Sequence, residues 1–271
     1  MILLRSSLFN VVFFGLTFLT LLPATVIRFV APGRVMWVAV LWARMMVASV
    51  RLICGIRFEV TGLEHIPPGA ALIASRHQSA FDTMIWLTLL PRCCYVLKRE
   101  LRSIPLFGAL THAAGMIAVD RNAGASAVRV LVKEGLRAAR EERQIVIFPE
   151  GTRSDPETML ALQPGIAALA SRTGLPVIPV ATDSGLYWGR RSFLKTPGTI
   201  RVVIREPLPV GLRREDLMRR LAEGMTMPVD GQSSQGGRVA EESDPRRLSA
   251  GKRARAIHHG SGRVRPASGP L

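Results

Sequence analysis

Residues 144–154 read Gln-Ile-Val-Ile-Phe-Pro-Glu-Gly-Thr-Arg-Ser. Apolar side chains on four successive positions, Ile145 to Phe148, suit a strand covered on both faces, because neighbouring residues of a strand point to opposite sides. The turn residues Pro149 and Gly151 follow, so Glu150, Thr152 and Arg153 stand at the C-terminal end of that strand. A second run of the same kind is Val177-Ile178-Pro179-Val180. Working outward, β-rich runs at 57–60, 71–75, 95–98, 116–120, 144–148, 177–181 and 199–205 alternate with helical patterns at 81–90, 106–114, 125–143 and 165–173. This alternation predicts an α/β domain, a mixed and largely buried sheet flanked by helices, over residues 57–224.

The chemistry-bearing residues collect at strand ends. His77 follows the strand ending at Ser75, Lys98 closes its own strand, and Glu150 and Arg153 follow Phe148. Ligands of open α/β sheets bind at such ends, so one site is expected there. Residues 77–82 read His-Gln-Ser-Ala-Phe-Asp. A neutral imidazole abstracts a proton from an alcohol only when its tautomer is fixed, and a carboxylate such as Asp82 fixes it by accepting the other ring N–H. Residues five apart on a straight helix lie about 140° out of alignment, so His77 is expected in the loop before a helix and Asp82 in its first turn. Arg153 supplies a permanent cation suited to a phosphate, and Gly151 permits a tight backbone approach at the turn. Ser79 lies between His77 and Asp82, but without a Gly-x-Ser-x-Gly elbow it is not read as a nucleophile. Asp120-Arg121 is equally readable as a surface ion pair, and His65 and His112 have no evident partner.

Composition bounds the rest. With 48% hydrophobic residues the 271-residue chain is not disordered throughout. The formal charge of +16 is almost all arginine and favours anionic partners: lipid headgroups, phosphorylated substrates, acidic carriers or nucleic acid. Cys54, Cys93 and Cys94 make no Cys-x-x-Cys pair, so neither a metal nor a disulfide framework is expected, and adjacent His258-His259 is not read as a metal site.

Residues 1–56 have another character. Ser6 to Ile27 is 22 residues long and carries no charge, enough to cross a bilayer. An anchor, a cleaved signal peptide and a buried core helix compete for it. A single preceding basic residue, Arg5, and the lack of a small-x-small cleavage site weaken the signal reading, and the length weakens the core reading. After Pro32-Gly33, residues 35–56 form a second apolar stretch, interrupted on one helical face by Arg44 and Arg51. With basic residues on both sides of the first segment, a membrane-embedded helical pair is expected, both ends facing the cytoplasm. From 225 to 271 periodicity gives way to Gly, Ser, Arg and Pro, expected to be a disordered basic tail. Its basic residues lack interleaved aromatics, so no nucleic-acid partner is expected.

Four blocks in order now carry a resemblance: His77-Gln-Ser-Ala-Phe-Asp82; Lys98-Arg-Glu-Leu101 with Pro105 and Gly108; Phe148-Pro-Glu-Gly-Thr-Arg-Ser154; and Val177-Ile-Pro-Val180. Across about 160 residues the chain resembles the 1-acylglycerol-3-phosphate acyltransferases of the glycerolipid acyltransferase family. The resemblance implies transfer of a fatty acyl group from acyl-CoA or acyl-carrier protein to the sn-2 hydroxyl of lysophosphatidic acid, giving phosphatidic acid on the cytoplasmic face of the inner membrane. No cofactor and no metal are implied. His77 and Asp82 would be catalytic, and Lys98, Glu150, Gly151, Thr152 and Arg153 would bind substrate, with Lys98 and Arg153 on the phosphate and Glu150 ordering the acceptor pocket or meeting glycerol hydroxyls. Membrane lipids and a lysophospholipid are the implied partners. Two departures stand out: Leu162-Gln163-Pro164-Gly165 lacks the aromatic and lysine common before that glycine, and nothing after the helix near Arg213 is family-like. Alternative readings are another lysolipid acceptor, such as a lyso-ornithine lipid, or a non-enzymatic protein binding membrane surfaces or nucleic acid.

Overall fold

The computed structural model describes residues 1–228. The sheet contains β1 (Ile56–Thr61), β2 (Ala71–Ser75), β3 (Cys93–Lys98), β4 (Ile117–Val119), β5 (Gln144–Ile147), β6 (Val177–Thr182) and β7 (Gly198–Ile204). Their spatial order is β1-β7-β6-β2-β5-β3-β4, and every neighbouring pair is parallel except β6 with β7. The sheet is therefore mixed, with β2, β3, β5 and β6 running the same way, so the loops that leave them emerge along one edge. In register, Ala74 lies beside Ile147 and Ser75 beside Val180, which brings the exits of β2, β5 and β6 together.

The successive apolar positions of β5 are explained by two cores. Val146 and Phe148 belong to one hydrophobic cluster and Ile145 and Ile147 to the other, on the opposite face. The first cluster draws on α1 (Ile2–Val30), α2 (Val35–Cys54) and α3 (Phe81–Leu89) through Phe9, Met46 and Trp86. The second draws on α5 (Ala125–Arg140), α6 (Gly165–Thr173) and α8 (Arg214–Gly224) through Leu131, Ile166 and Leu221. Met225, just past α8, is fully buried in this second core. Among the described residues there are two shorter α-helices, α4 (Phe107–Ala113) and α7 (Ser184–Tyr187). The expected disordered basic tail falls, apart from residues 225–228, outside the described residues.

The first two helices carry the apolar segments. In α1 only Ser6, Phe9 and Ala24 are buried, while Val11, Phe14, Phe18, Leu19 and Val26 are exposed. Both helices are long and apolar enough to cross a membrane. Helix α2 is amphipathic as its sequence implies: Ala43, Met46, Val47, Val50 and Cys54, spaced three or four apart, are buried, and Arg44 and Arg51 lie on the exposed side. Trp42 Nε1 donates to Thr17 Oγ1 at 3.0 Å and ties the two helices together. Helix α2 ends at Gly55, whose φ of +72° lets its N–H turn back onto the carbonyls of Val50 and Arg51 and directs the chain into β1.

Candidate active site

His77 lies in the loop between β2 and α3, and Asp82 in the first turn of α3. The Asp82 side chain is buried, and its Oδ2 accepts the backbone N–H of Gln78 at 2.7 Å and of Ser79 at 2.8 Å while lying 3.2 Å from His77 Nδ1. Two backbone donors fix the carboxylate, so the carboxylate fixes the ring. Its acceptor character places the proton on Nδ1 and leaves Nε2 with a lone pair. The ring is also held by stacking: its centroid is 4.1 Å from that of Phe148, with 20° between the planes. Ser79 is fully buried, with its hydroxyl accepting the N–H of Phe81, which is a structural use of that side chain.

The loop after β5 grips the same segment. Glu150 Oε1 accepts the backbone N–H of His77 at 2.9 Å, and the Ser154 N–H donates to the His77 carbonyl at 2.8 Å. Glu150 was expected to order the acceptor pocket or meet glycerol hydroxyls; it is buried, and the contact it makes is with the backbone of His77. Its Oε2 is buried without a hydrogen-bond partner. Arg76, also buried, donates from Nη2 to the carbonyls of Asp155, Pro156 and Thr158 and anchors the far side of the loop. Gly151 has φ +73°, and a Cβ there would stand 3.3 Å from Gln163 Cγ. Gln163, one of the departures from the family pattern, thus packs on the turn, and its N–H donates to the Pro149 carbonyl at 2.8 Å.

His77, Gly151, Thr152 and Arg153 line a single cleft of about 580 Å³, and Lys98 reaches it from the end of β3. One end is apolar, walled by Leu21, Val35 and Val38 from α1 and α2 and by Leu110 of α4. The other end is basic. Burial pushes the Arg153 guanidinium below its ordinary pKa; the Asp82 carboxylate opposes that shift, and the neighbouring Arg190 adds to it. Lys98 Nζ is already paired with Glu100 Oε1 at 3.1 Å. Arg121, Arg190 and Arg191 also line the cleft. The last two have no signal in the sequence beyond an arginine pair in an irregular stretch. An imidazole whose Nε2 is left as an acceptor, arginines lining the same cleft and an apolar wall would suit a substrate with an alcohol, an anionic head and a hydrocarbon chain.

A family model described as Acyltransferase matches residues 57–183. The 1-acyl-sn-glycerol-3-phosphate acyltransferase of Pseudomonas aeruginosa is 39% identical over 181 residues, covering 65% of this chain and 70% of that protein. The beta form from Homo sapiens is 32% identical over 176 residues, 63% of each chain. Among solved structures, the 1-acyl-sn-glycerophosphate (LPA) acyltransferase of Thermotoga maritima superposes with a TM-score of 0.64 at 22% identity, covering 82% of this chain and 97% of that one; this likeness is one of fold.

Proposed function

The chain belongs to the acyltransferase family of the 1-acyl-sn-glycerol-3-phosphate acyltransferases, and from that premise we propose that it acylates the sn-2 hydroxyl of lysophosphatidic acid to give phosphatidic acid. The donor in this reading is a thioester, acyl-CoA or acyl-carrier protein, and the reaction runs at the cytoplasmic face of the membrane. The observation that carries it is His77 Nδ1 at 3.2 Å from Asp82 Oδ2, which frees Nε2 for a hydroxyl in the cleft that Arg153 also lines.

Nε2 takes the proton as the alcohol oxygen attacks the thioester carbonyl. The new C–O bond forms, the C–S bond breaks, and His77 returns the proton to the departing sulfur, which leaves as the thiol and restores the neutral imidazole. No acyl-enzyme is needed, because a thioester is already activated and positioning supplies much of the remaining acceleration. Arg153 orients the acceptor by its phosphate through charge-assisted hydrogen bonds, with Lys98 beside it. Glu150 is a positioning residue that holds the His77 backbone. The test is an acceptor panel with labelled acyl-CoA and labelled acyl-carrier protein. Lysophosphatidic acid is expected to be the preferred acceptor; equal or faster acylation of a lyso-ornithine lipid, whose head offers Arg153 a carboxylate, contradicts the assignment.

A further inference from the structure

The basic end of the cleft holds more charge than one guanidinium clamp requires. Arg121, Arg153, Arg190 and Arg191 all line it, and among the described residues none of the four has a carboxylate within ion-pair distance. Arg190 and Arg191 sit on the loop between α7 and β7. Arg190 Nη1 donates to the backbone carbonyl of Arg153 at 3.2 Å, which brings this loop against the turn that carries the clamp. Arg191 has φ +55°, a left-handed conformation uncommon for a side chain of this size and characteristic of positions held by their surroundings.

The loop that carries them is tied to α1 through a buried lysine. Lys195 is 2% exposed. Its Nζ donates to Asn10 Oδ1 at 2.6 Å and to the Phe193 carbonyl at 2.8 Å, among the rings of Phe9, Trp188 and Phe193. Its backbone N–H donates to Ser6 Oγ at 3.0 Å. The arginine pair is therefore delivered to the cleft by a loop bolted to α1.

We propose that Arg190 and Arg191 form a second arm of the acceptor clamp, closing with Arg153 on the dianionic phosphomonoester and setting the preference for that head over a phosphodiester or a carboxylate. This rests on the acceptor reading above. A phosphomonoester carries about −1.5 to −2 at pH 7 and presents three terminal oxygens, whereas one guanidinium fork neutralises one charge and holds two oxygens. A phosphodiester has one charge and two free oxygens, so the extra arm discriminates between them. Donor phosphates share this chemistry, but they lie a whole pantetheine arm from the reacting carbonyl. The acceptor phosphate is on the carbon next to the one bearing the reacting hydroxyl, which suits a pair touching the Arg153 turn.

The experiment uses the purified full chain in neutral detergent, with labelled acyl thioester, lysophosphatidic acid and a lysophosphodiester. Wild type is compared with Arg190→Gln, Arg191→Gln, both together, and Arg190→Lys. Both side chains are exposed, so the variants should fold, and circular dichroism checks this. The expected result is a rise of about tenfold in acceptor KM for each arginine lost. It should be carried in KM rather than kcat, with donor KM unmoved, the phosphomonoester preference narrowed, and part of the loss restored by Arg190→Lys. Wild-type acceptor KM should also fall as pH rises through about 6, where the monoester becomes dianionic, and the double variant should flatten that dependence. A rise in donor KM alone, or constants that do not move, overturns the proposal. A wild-type chain that acylates no phosphomonoester overturns the acceptor reading itself before any variant is compared.

Discussion

At the scale of single residues, His77 is held from three directions: Asp82 on Nδ1, Phe148 on the ring face, and Glu150 and Ser154 on its backbone. The role of Glu150 can be isolated. Glu150→Ala leaves the His77 N–H without its acceptor in a buried loop, a cost of about 1–3 kcal/mol in the placement of the base. Glu150→Gln keeps an oxygen at that position. Steady-state kinetics should show kcat falling by about five- to 150-fold in the alanine variant and by clearly less in the glutamine variant; equal losses would mean that the second carboxylate oxygen matters more than the bond to His77. The sequence marks His77, Asp82 and Arg153 as candidates because proton transfer and anion binding constrain residue type and spacing, and the structure brings the three to one cleft region. It cannot show that Glu150 is spent on a backbone N–H, since any buried acceptor of that length reads the same. Arg190 and Arg191 are hidden for a related reason: no spacing marks a loop whose position depends on a lysine bond to a helix some 185 residues earlier.

At the scale of elements, all seven strands are legible, β2 to the residue and the others to within one or two residues at each end, because burial on both faces or on alternating positions leaves a direct trace in composition. Two features are not. Helix α7 is four residues long, too short for a periodic signal, and is supported by Gln78 Oε1 accepting the N–H of Gly185. The helix expected over 125–143 stops at Arg140, because Glu142 adopts φ +52° and Arg143 turns back to donate to the carbonyls of Cys93, Ala114 and Gly115. The junction of the 188–197 loop with α1 makes its own prediction. Lys195→Ala removes two charge-assisted bonds together with packing inside three rings, about 2–3 kcal/mol and hence a fall of several degrees in Tm. Acceptor KM should rise with it, as in the Arg190 variants. An unchanged Tm would show that the loop is held by other contacts.

At the scale of the whole molecule, the sheet presents its strand ends toward the region where α1 and α2 lie, so the reacting groups, the basic wall and the apolar trough form one cleft bounded by both membrane-type helices. Phe14 and Phe18 are 69% and 63% exposed on α1 and do not contribute to the buried core, so a bilayer is the natural apolar phase for them. Phe14→Glu with Phe18→Glu should strongly reduce flotation with phospholipid vesicles while leaving the circular dichroism spectrum intact; undiminished flotation would put the membrane contact elsewhere. The proposed reaction depends on His77 being the base. The most direct measurement is single-turnover acylation of lysophosphatidic acid by wild type and His77→Ala with both substrates saturating. The rate should fall at least about a hundredfold, the range of general-base catalysis, with acceptor binding retained through Arg153. Turnover at the wild-type rate would contradict the assignment of the base, and with it the reading of the cleft.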